Sequence, residues 1–224
     1  MCGRYTLRSP RRFEFDSLRN SSLPLDSRYN IAPGQLVPVI ADFGNGLELK
    51  CVGWGLIPSW SADKKGFINA RSETLEDKPS FNESFQKRRC LIPADGFFEW
   101  KRSGRAKQAH YFQLTDENPF AFAGIWDKWI QGEAAITCAI ITTKANETVG
   151  LFHDRMPAIL TPDSYDAWLD PDATTASLKQ LLMPFPGSRM TYHPVSSAVN
   201  HPDNEGEKLI ERVDSEIGTT PSLF

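Results

Sequence analysis

Residues 89–114 read RCLIPADGFFEWKRSGRAKQAHYFQL, and this run decides the fold class. "RCLIPADGFFEWK" (89–101) and "AHYFQL" (109–114) are dense in aliphatic and aromatic residues, which favour strands. The link between them, "RSGRAKQ" (102–108), is polar and carries a glycine, as a hairpin connection requires. The same arrangement recurs on either side. "QLVPVIAD" (35–42) and "LELKCVGW" (47–54) flank "FGNG", and "FAFAGIWDKWI" (120–130) and "AAITCAIITT" (134–143) flank "QGE". "MPAIL" (156–160) and "MTYHPVS" (190–196) are further strand candidates. Helical periodicity is scarcer, at about residues 10–19, 79–88 (with Phe81 and Phe85 at i,i+4), 162–169 and 174–183. The expectation is an α+β chain in which antiparallel β-sheets close into a barrel-like core with a few peripheral helices. There is no βαβ alternation and no glycine-rich loop following a strand, so a nucleotide-cofactor fold is disfavoured.

The chain has 224 residues, 40% of them hydrophobic, enough for one substantial core. Glycine and proline are scattered, so no linker divides it, and residues 1–224 are expected to form a single domain. No repeat, low-complexity tract or bilayer-length apolar run occurs. The start lacks the basic segment and apolar stretch of a signal peptide. A soluble cytoplasmic monomer is therefore expected, associated with nucleoid or replication fork if the source is bacterial, without membrane partners.

The formal net charge of −3 gives no global pull toward nucleic acid. Basic residues nevertheless cluster at Arg4, Arg8, Arg11 and Arg12, at Lys87, Arg88 and Arg89, and at Lys101, Arg102, Arg105 and Lys107, while acidic residues dominate the last quarter. Such local positive faces suit a phosphate backbone and equally suit ordinary solvated surface. The cysteines, Cys2, Cys51, Cys90 and Cys138, contain no C-x-x-C pair, so neither a metal site nor disulfides are expected. Cys51, Cys90 and Cys138 sit in apolar stretches and read as buried small hydrophobes. Cys2 has no such setting.

Several short stretches place polar groups among aromatics, prolines and glycines: "RYNIAPG" (28–34), "WGLIPSW" (54–60), "INARSET" (68–74), "ADGFFEW" (94–100), "HDRMP" (153–157) and "HPVS" (193–196). Together with the opening "MCGR", and in this order, they make the chain resemble the SRAP family, the SOS response-associated peptidases or abasic-site processing proteins. The resemblance is strongest over residues 2–204, leaving 205–224 as a C-terminal tail. It implies the SRAP fold, binding of single-stranded DNA bearing an abasic site, and a covalent cross-link through the N-terminal cysteine. It places Cys2 as nucleophile, with Asn69, Glu99 and His153 around it, and implies no metal and no cofactor. Arg4, Arg71 and Arg155 lie in matched motifs as phosphate candidates, and Asn30, Pro33 and Trp60 at positions lining the DNA channel. Two departures stand out: Trp60 is followed by Ser61 where some members carry a second tryptophan, and "VNHPDN" has Pro202 and Asp203 where relatives often carry a basic residue.

Residue chemistry leads the same way. Removal of Met1 leaves an α-amine and a thiol on Cys2, with ordinary pKa values of about 7.7 and about 8.5. The amine can attack the aldehyde of a ring-opened abasic sugar, and the thiol can then close a five-membered thiazolidine, an intramolecular step favoured by proximity. Glu99, flanked by Phe97, Phe98 and Trp100, suits proton transfer at the amine and imine. His153, with Asp154 beside it, suits the sugar hydroxyl. Asn69 suits holding the amine or sugar by hydrogen bonds. The imine also permits β-elimination, hence lyase activity, and the family name adds autoproteolytic maturation. Two other readings stand beside cross-linking: a cysteine hydrolase or peptidase acting on amides through an N-terminal nucleophile, and a non-catalytic DNA-binding module.

Overall fold

The fold turns on one corner. Ala94 ends one strand and Gly96 begins the next, with Asp95 at the bend between them, and the two strands belong to different sheets. The computed structural model describes residues 2–10, 26–103, 106–131 and 134–214. In chain order the first half holds β1 (Tyr5–Leu7), β2 (Arg28–Ile31), β3 (Leu36–Asp42), β4 (Leu47–Trp54), β5 (Asn69–Arg71), α1 (Asn82–Lys87), β6 (Arg89–Ala94) and β7 (Gly96–Ser103). There follow β8 (Ala106–Leu114), β9 (Phe120–Trp129), β10 (Ala135–Lys144), β11 (Arg155–Pro157), β12 (Ile159–Leu160), α2 (Tyr165–Leu169), α3 (Thr175–Leu181) and β13 (Met190–Pro194).

Strands β10, β4, β3, β6 and β9 pair in that order, and β9 pairs back onto β10, so five strands close a barrel. All three expected hairpins form: β3–β4, β7–β8 and β9–β10. Closure differs from the purely antiparallel expectation. β10 meets β4 in parallel, Thr137 opposite Gly53 and Cys138 opposite Trp54, and takes β5 in parallel as well. The long excursion between β4 and β10 in sequence makes such a parallel pairing possible. β11 and β12 extend the barrel sheet, and a second sheet, β13-β8-β7-β1-β2, packs on it.

Both faces of the barrel strands are covered, which explains their unbroken apolar runs. Along β6, Cys90, Ile92 and Ala94 join a cluster shared with Tyr5, Phe97 and Phe112 of the second sheet. Leu91, between them, joins a cluster completed by Phe85, Trp168 and Leu178 from α1, α2 and α3. β9 and β10 alternate in the same way, with Phe122 and Ile140 in the first cluster and Ala123 and Ile141 in the second. Period-2 alternation thus divides one strand between two apolar partners.

Two apolar runs that read as single strands are each divided between neighbours. "RCLIPADGFFEWK" breaks at Asp95. "MPAIL" breaks at Ala158, whose N–H donates to the Ile141 carbonyl at 2.9 Å while its own carbonyl accepts from Ala123 at 2.9 Å. The helix expected over 79–88 is α1; that over 162–169 is a 3-10 turn followed by α2; that over 174–183 is α3, capped by the Thr174 hydroxyl. The expected helix over 10–19 lies outside the described residues apart from Pro10. Cys90 and Cys138 are buried as expected, but Cys51 is exposed. It alternates with Val52 and Trp54, which take the core face of β4 and leave position 51 pointing away. Among the described residues no helix is long and apolar enough to cross a membrane.

At the corner, the phenol of Tyr111 lies over Gly96 so closely that a Cβ there would overlap its hydroxyl and the adjoining edge of the ring. Gly96→Ala is therefore expected to lower the unfolding free energy by about 2–3 kcal/mol through overpacking, read from urea denaturation. An unchanged midpoint would show that Tyr111 can move aside.

Candidate active site

The corner also fixes the N-terminal segment. Tyr5 pairs with Phe97 and Thr6 with Gly96, so β1 runs antiparallel to β7. Tyr5 is wedged edge-on between Trp54 and Phe122, with ring centroids 5.4 and 5.5 Å away. The Phe98 N–H donates to the Arg4 carbonyl at 3.0 Å. Continued toward the start, this register carries residues 2 and 3 alongside Glu99. Cys2 lies there with 0% of its surface exposed, in the cluster between barrel and second sheet. Its apolar setting comes from tertiary packing, which the flanking sequence does not reveal. Burial pushes the Cys2 thiol far above its ordinary value, and the Glu99 carboxylate pushes it further.

Asn69 reaches Cys2 from the other side. β5 is held on β10, with Asn69 opposite Ile140, and the Asn69 Nδ2 donates to the Cys2 carbonyl at 2.9 Å. The other end of the amide, Oδ1, is buried without a hydrogen-bond partner. A buried carbonyl oxygen left so is costly, and it marks a place where a donor is wanted.

Glu99 stands on β7 directly opposite His110 of β8, with 4% of its surface exposed. Burial is the main cause that raises its carboxyl above the usual range, and the charge of His153 acts in the opposite sense. His153 follows a 3-10 turn at Val149–Leu151, its N–H donating to the Val149 carbonyl at 3.1 Å. Its Nδ1 accepts the Arg155 N–H at 3.0 Å, which leaves the neutral ring's proton on Nε2. The Asp154 carboxylate approaches the same Nδ1 at 2.8 Å, a contact that is attractive only when that nitrogen is protonated. The structure thus gathers Cys2 from the segment ahead of β1, Asn69 from β5, Glu99 from β7 and His153 from the β10–β11 connection.

The residues expected to touch DNA fall into two groups. Pro33, Trp60 and Arg71 are exposed, Trp60 with 61% of its surface open. Arg4 and Asn30 are buried and bonded to each other, Arg4 Nη1 donating to Asn30 Oδ1 at 2.7 Å and to the Val199 carbonyl at 2.6 Å. Asn30 Nδ2 in turn donates to the carbonyls of His201 and Asn204, latching β2 to the C-terminal segment. Arg155, 8% exposed, makes a two-pronged pair with Glu73 at 2.6 and 2.8 Å and donates to the Thr142 carbonyl at 2.6 Å. A phosphate contact from Arg155 would have to compete with that pair. Glu73 escaped the sequence reasoning although it lies inside "INARSET"; an acid two residues after Arg71 reads as surface charge until its partner, 82 positions away, is known.

Residues 1–202 match the protein family described as SOS response associated peptidase (SRAP). The chain is 43% identical over 226 residues to abasic site processing protein YoqW of Bacillus subtilis, a match spanning 94% of this chain and 99% of that protein. It is 32% identical over 224 residues to abasic site processing protein YedK of Escherichia coli, spanning 95% and 100%. An X-ray crystal structure of a protein from Bacteroides thetaiotaomicron superposes with a TM-score of 0.83 at 29% identity, over 95% of this chain and 100% of that one.

The environment of Glu99 has a signature in stability. Because its native pKa is raised, the native state holds this proton more tightly than the unfolded chain, so stability falls as pH climbs from about 4.5 through the native value. Glu99→Gln removes that dependence. Comparing urea midpoints at pH 4.5 and pH 8, the variant is expected to gain on the parent at the higher pH; an equal gap at both would contradict the burial argument.

Proposed function

The chain belongs to the SRAP family, and on that premise we propose that it captures abasic sites in single-stranded DNA as a covalent thiazolidine on Cys2. Removal of Met1 places the α-amine on Cys2. The observation that carries the proposal is the Asn69 amide, which already grips the Cys2 carbonyl through Nδ2 and keeps a buried, unpartnered Oδ1 beside it. An α-amine on residue 2 supplies the donor that this oxygen lacks.

The chemistry then balances on these residues. Asn69 Oδ1 accepts one amine N–H and orients the nitrogen lone pair. Glu99, whose raised pKa brings its proton affinity closer to that of the amine, takes the ammonium proton and returns it to the carbinolamine hydroxyl. The aldehyde oxygen leaves as water and an imine forms. Sγ adds to the imine carbon, a C–S bond closes the ring, and the thiol proton passes to the ring nitrogen. His153 assists the sugar hydroxyl during ring opening and during the reverse reaction.

The buried thiol argues against an amide hydrolase. Such an enzyme needs a thiolate poised near neutrality, whereas burial and Glu99 both favour the protonated thiol of Cys2. In the capture reaction the amine moves first, and the thiol is required only after the imine has formed. Burying Glu99 also costs stability, which a non-catalytic binding module has no reason to bear. Lyase action would compete from the imine, so fast ring closure limits it.

DNA engages the open groups: Trp60 and Pro33 offer apolar faces to bases, and Arg71, exposed two residues from Asn69, meets a phosphate.

A single-stranded oligonucleotide carrying one abasic site should yield an adduct by mass spectrometry equal to the Met1-free chain plus the oligonucleotide minus one water. Cys2→Ala and a chain retaining Met1 should form no stable adduct, and Glu99→Gln should slow formation by about 10²-fold. Amide turnover without an adduct would favour the hydrolase instead. For the phosphate contact, Arg71→Ala should weaken single-stranded DNA binding and reduce the salt slope by about 0.7; an unchanged slope would remove Arg71 from the interface.

A further inference from the structure

We infer that Glu73, acting through Arg155, is a positioning residue that holds the two arms of the active site at a fixed separation. The inference rests on the capture reaction proposed above for its kinetic consequence, but on geometry alone for the clamp itself.

The C-terminal half of β10 carries both arms. On one side β5 pairs with it, Ile140 to Thr142 opposite Asn69 to Arg71. On the other, β11 pairs with it, Thr142 to Lys144 opposite Pro157 to Arg155. β5 and β11 are not paired with each other, and each has only 3 residues. Two such short strands are weakly anchored, since each is held by a few ladder bonds to one neighbour. Asn69 begins the first and His153 precedes the second by two residues.

The Arg155 guanidinium crosses β10 at this level. From β11 it donates to the Thr142 carbonyl and makes a parallel, two-pronged pair with Glu73, on the 3-10 turn that follows β5. This bond joins the arms directly. A planar fork on a carboxylate fixes direction as well as distance, and its hydrogen bonds hold the Glu73 carboxyl below its usual range. The Arg155 N–H also donates to Nδ1 of His153, so the orientation of this one residue reaches the imidazole through its backbone. Reacting groups misplaced by about 1 Å lose up to about 100-fold in rate, which is why a clamp outside the reaction centre can matter to it.

The test compares Glu73→Gln, Arg155→Gln and the double variant by hydrogen exchange and by single-turnover cross-linking. In Glu73→Gln the amides of β5 and β11 are expected to exchange about tenfold faster while those of β9 are unchanged. The first-order rate constant at saturating oligonucleotide should fall about tenfold, the half-saturating concentration should shift less than about twofold, and the double variant should be no slower than the slower single one. Unchanged exchange would overturn the clamp. So would a loss confined to the half-saturating concentration, which would assign the pair to phosphate binding, or a loss that only follows a lowered melting temperature. Local exchange that responds in a chain forming no adduct would uphold the clamp and refute the capture reaction.

Discussion

The Asp95–Gly96 corner is the constraint on which the rest depends. The Asp95 carboxylate is 2% exposed, accepts the Thr6 hydroxyl at 2.6 Å and the Ser9 N–H at 2.9 Å, and the Asp95 N–H donates to the Thr6 carbonyl at 3.0 Å. Tyr111 comes down over Gly96 and meets the Thr6 hydroxyl at 3.0 Å. These contacts turn the chain out of the barrel into the second sheet and bind β1 to the turning point. Because β1 is only 3 residues long, its register on β7 follows from the corner. Because Cys2 lies just ahead of β1, the position of Cys2 follows from that register. Burial raises the Asp95 carboxyl, with Thr6, Ser9 and Arg8 opposing it, so directed hydrogen bonds offset part of the cost of burying this carboxyl at the corner.

Hairpins were legible in the sequence because a polar, glycine-bearing link between two apolar runs has few other outcomes. The barrel's closure was less so. The parallel meeting of β10 with β4 depends on what the chain does over the long excursion between them, and nothing local in "LELKCVGW" or "AAITCAIITT" specifies it. Strand division was hidden for a related reason. Runs buried on both faces lack alternation, so "MPAIL" shows no break in hydrophobicity where Ala158 changes partners, and in "RCLIPADGFFEWK" the one interruption, Asp95–Gly96, is too short to separate two strands from a single bent one. Cys51 shows the converse error: an apolar neighbourhood in sequence does not say which face of a strand a residue takes.

For the candidate site, the residue types suited to chemistry were visible while their supports were not. Cys2, Asn69, Glu99 and His153 are reactive or polar groups in conspicuous surroundings. Arg4 and Asn30 lie in equally conspicuous motifs, yet here they bond to each other and to backbone carbonyls of the C-terminal segment. A motif marks a constrained position without saying whether substrate or fold imposes the constraint. Glu73 is the complement, a residue made important only by a distant partner. Pairings across tens of residues are the part of a site that local pattern cannot carry.

On the proposed reaction, burial gives the site its order of events. A free thiolate beside an amine would be open to oxidation and to unproductive attack. Burial favours the protonated Cys2 thiol and raises the Glu99 carboxyl, so in the capture reaction proposed above the amine reacts first and the thiol follows once an imine has formed. The same low-polarity setting leaves the Asn69 oxygen without a donor, and the proposed reaction supplies one in the α-amine of residue 2. The surrounding sheet contacts hold these groups in a buried setting, and the proposed capture reaction relieves each of them at one of its steps. On that proposal desolvation sets the order of bond formation, and the corner at Gly96 and the register of β1 keep Cys2, Asn69 and Glu99 near one another.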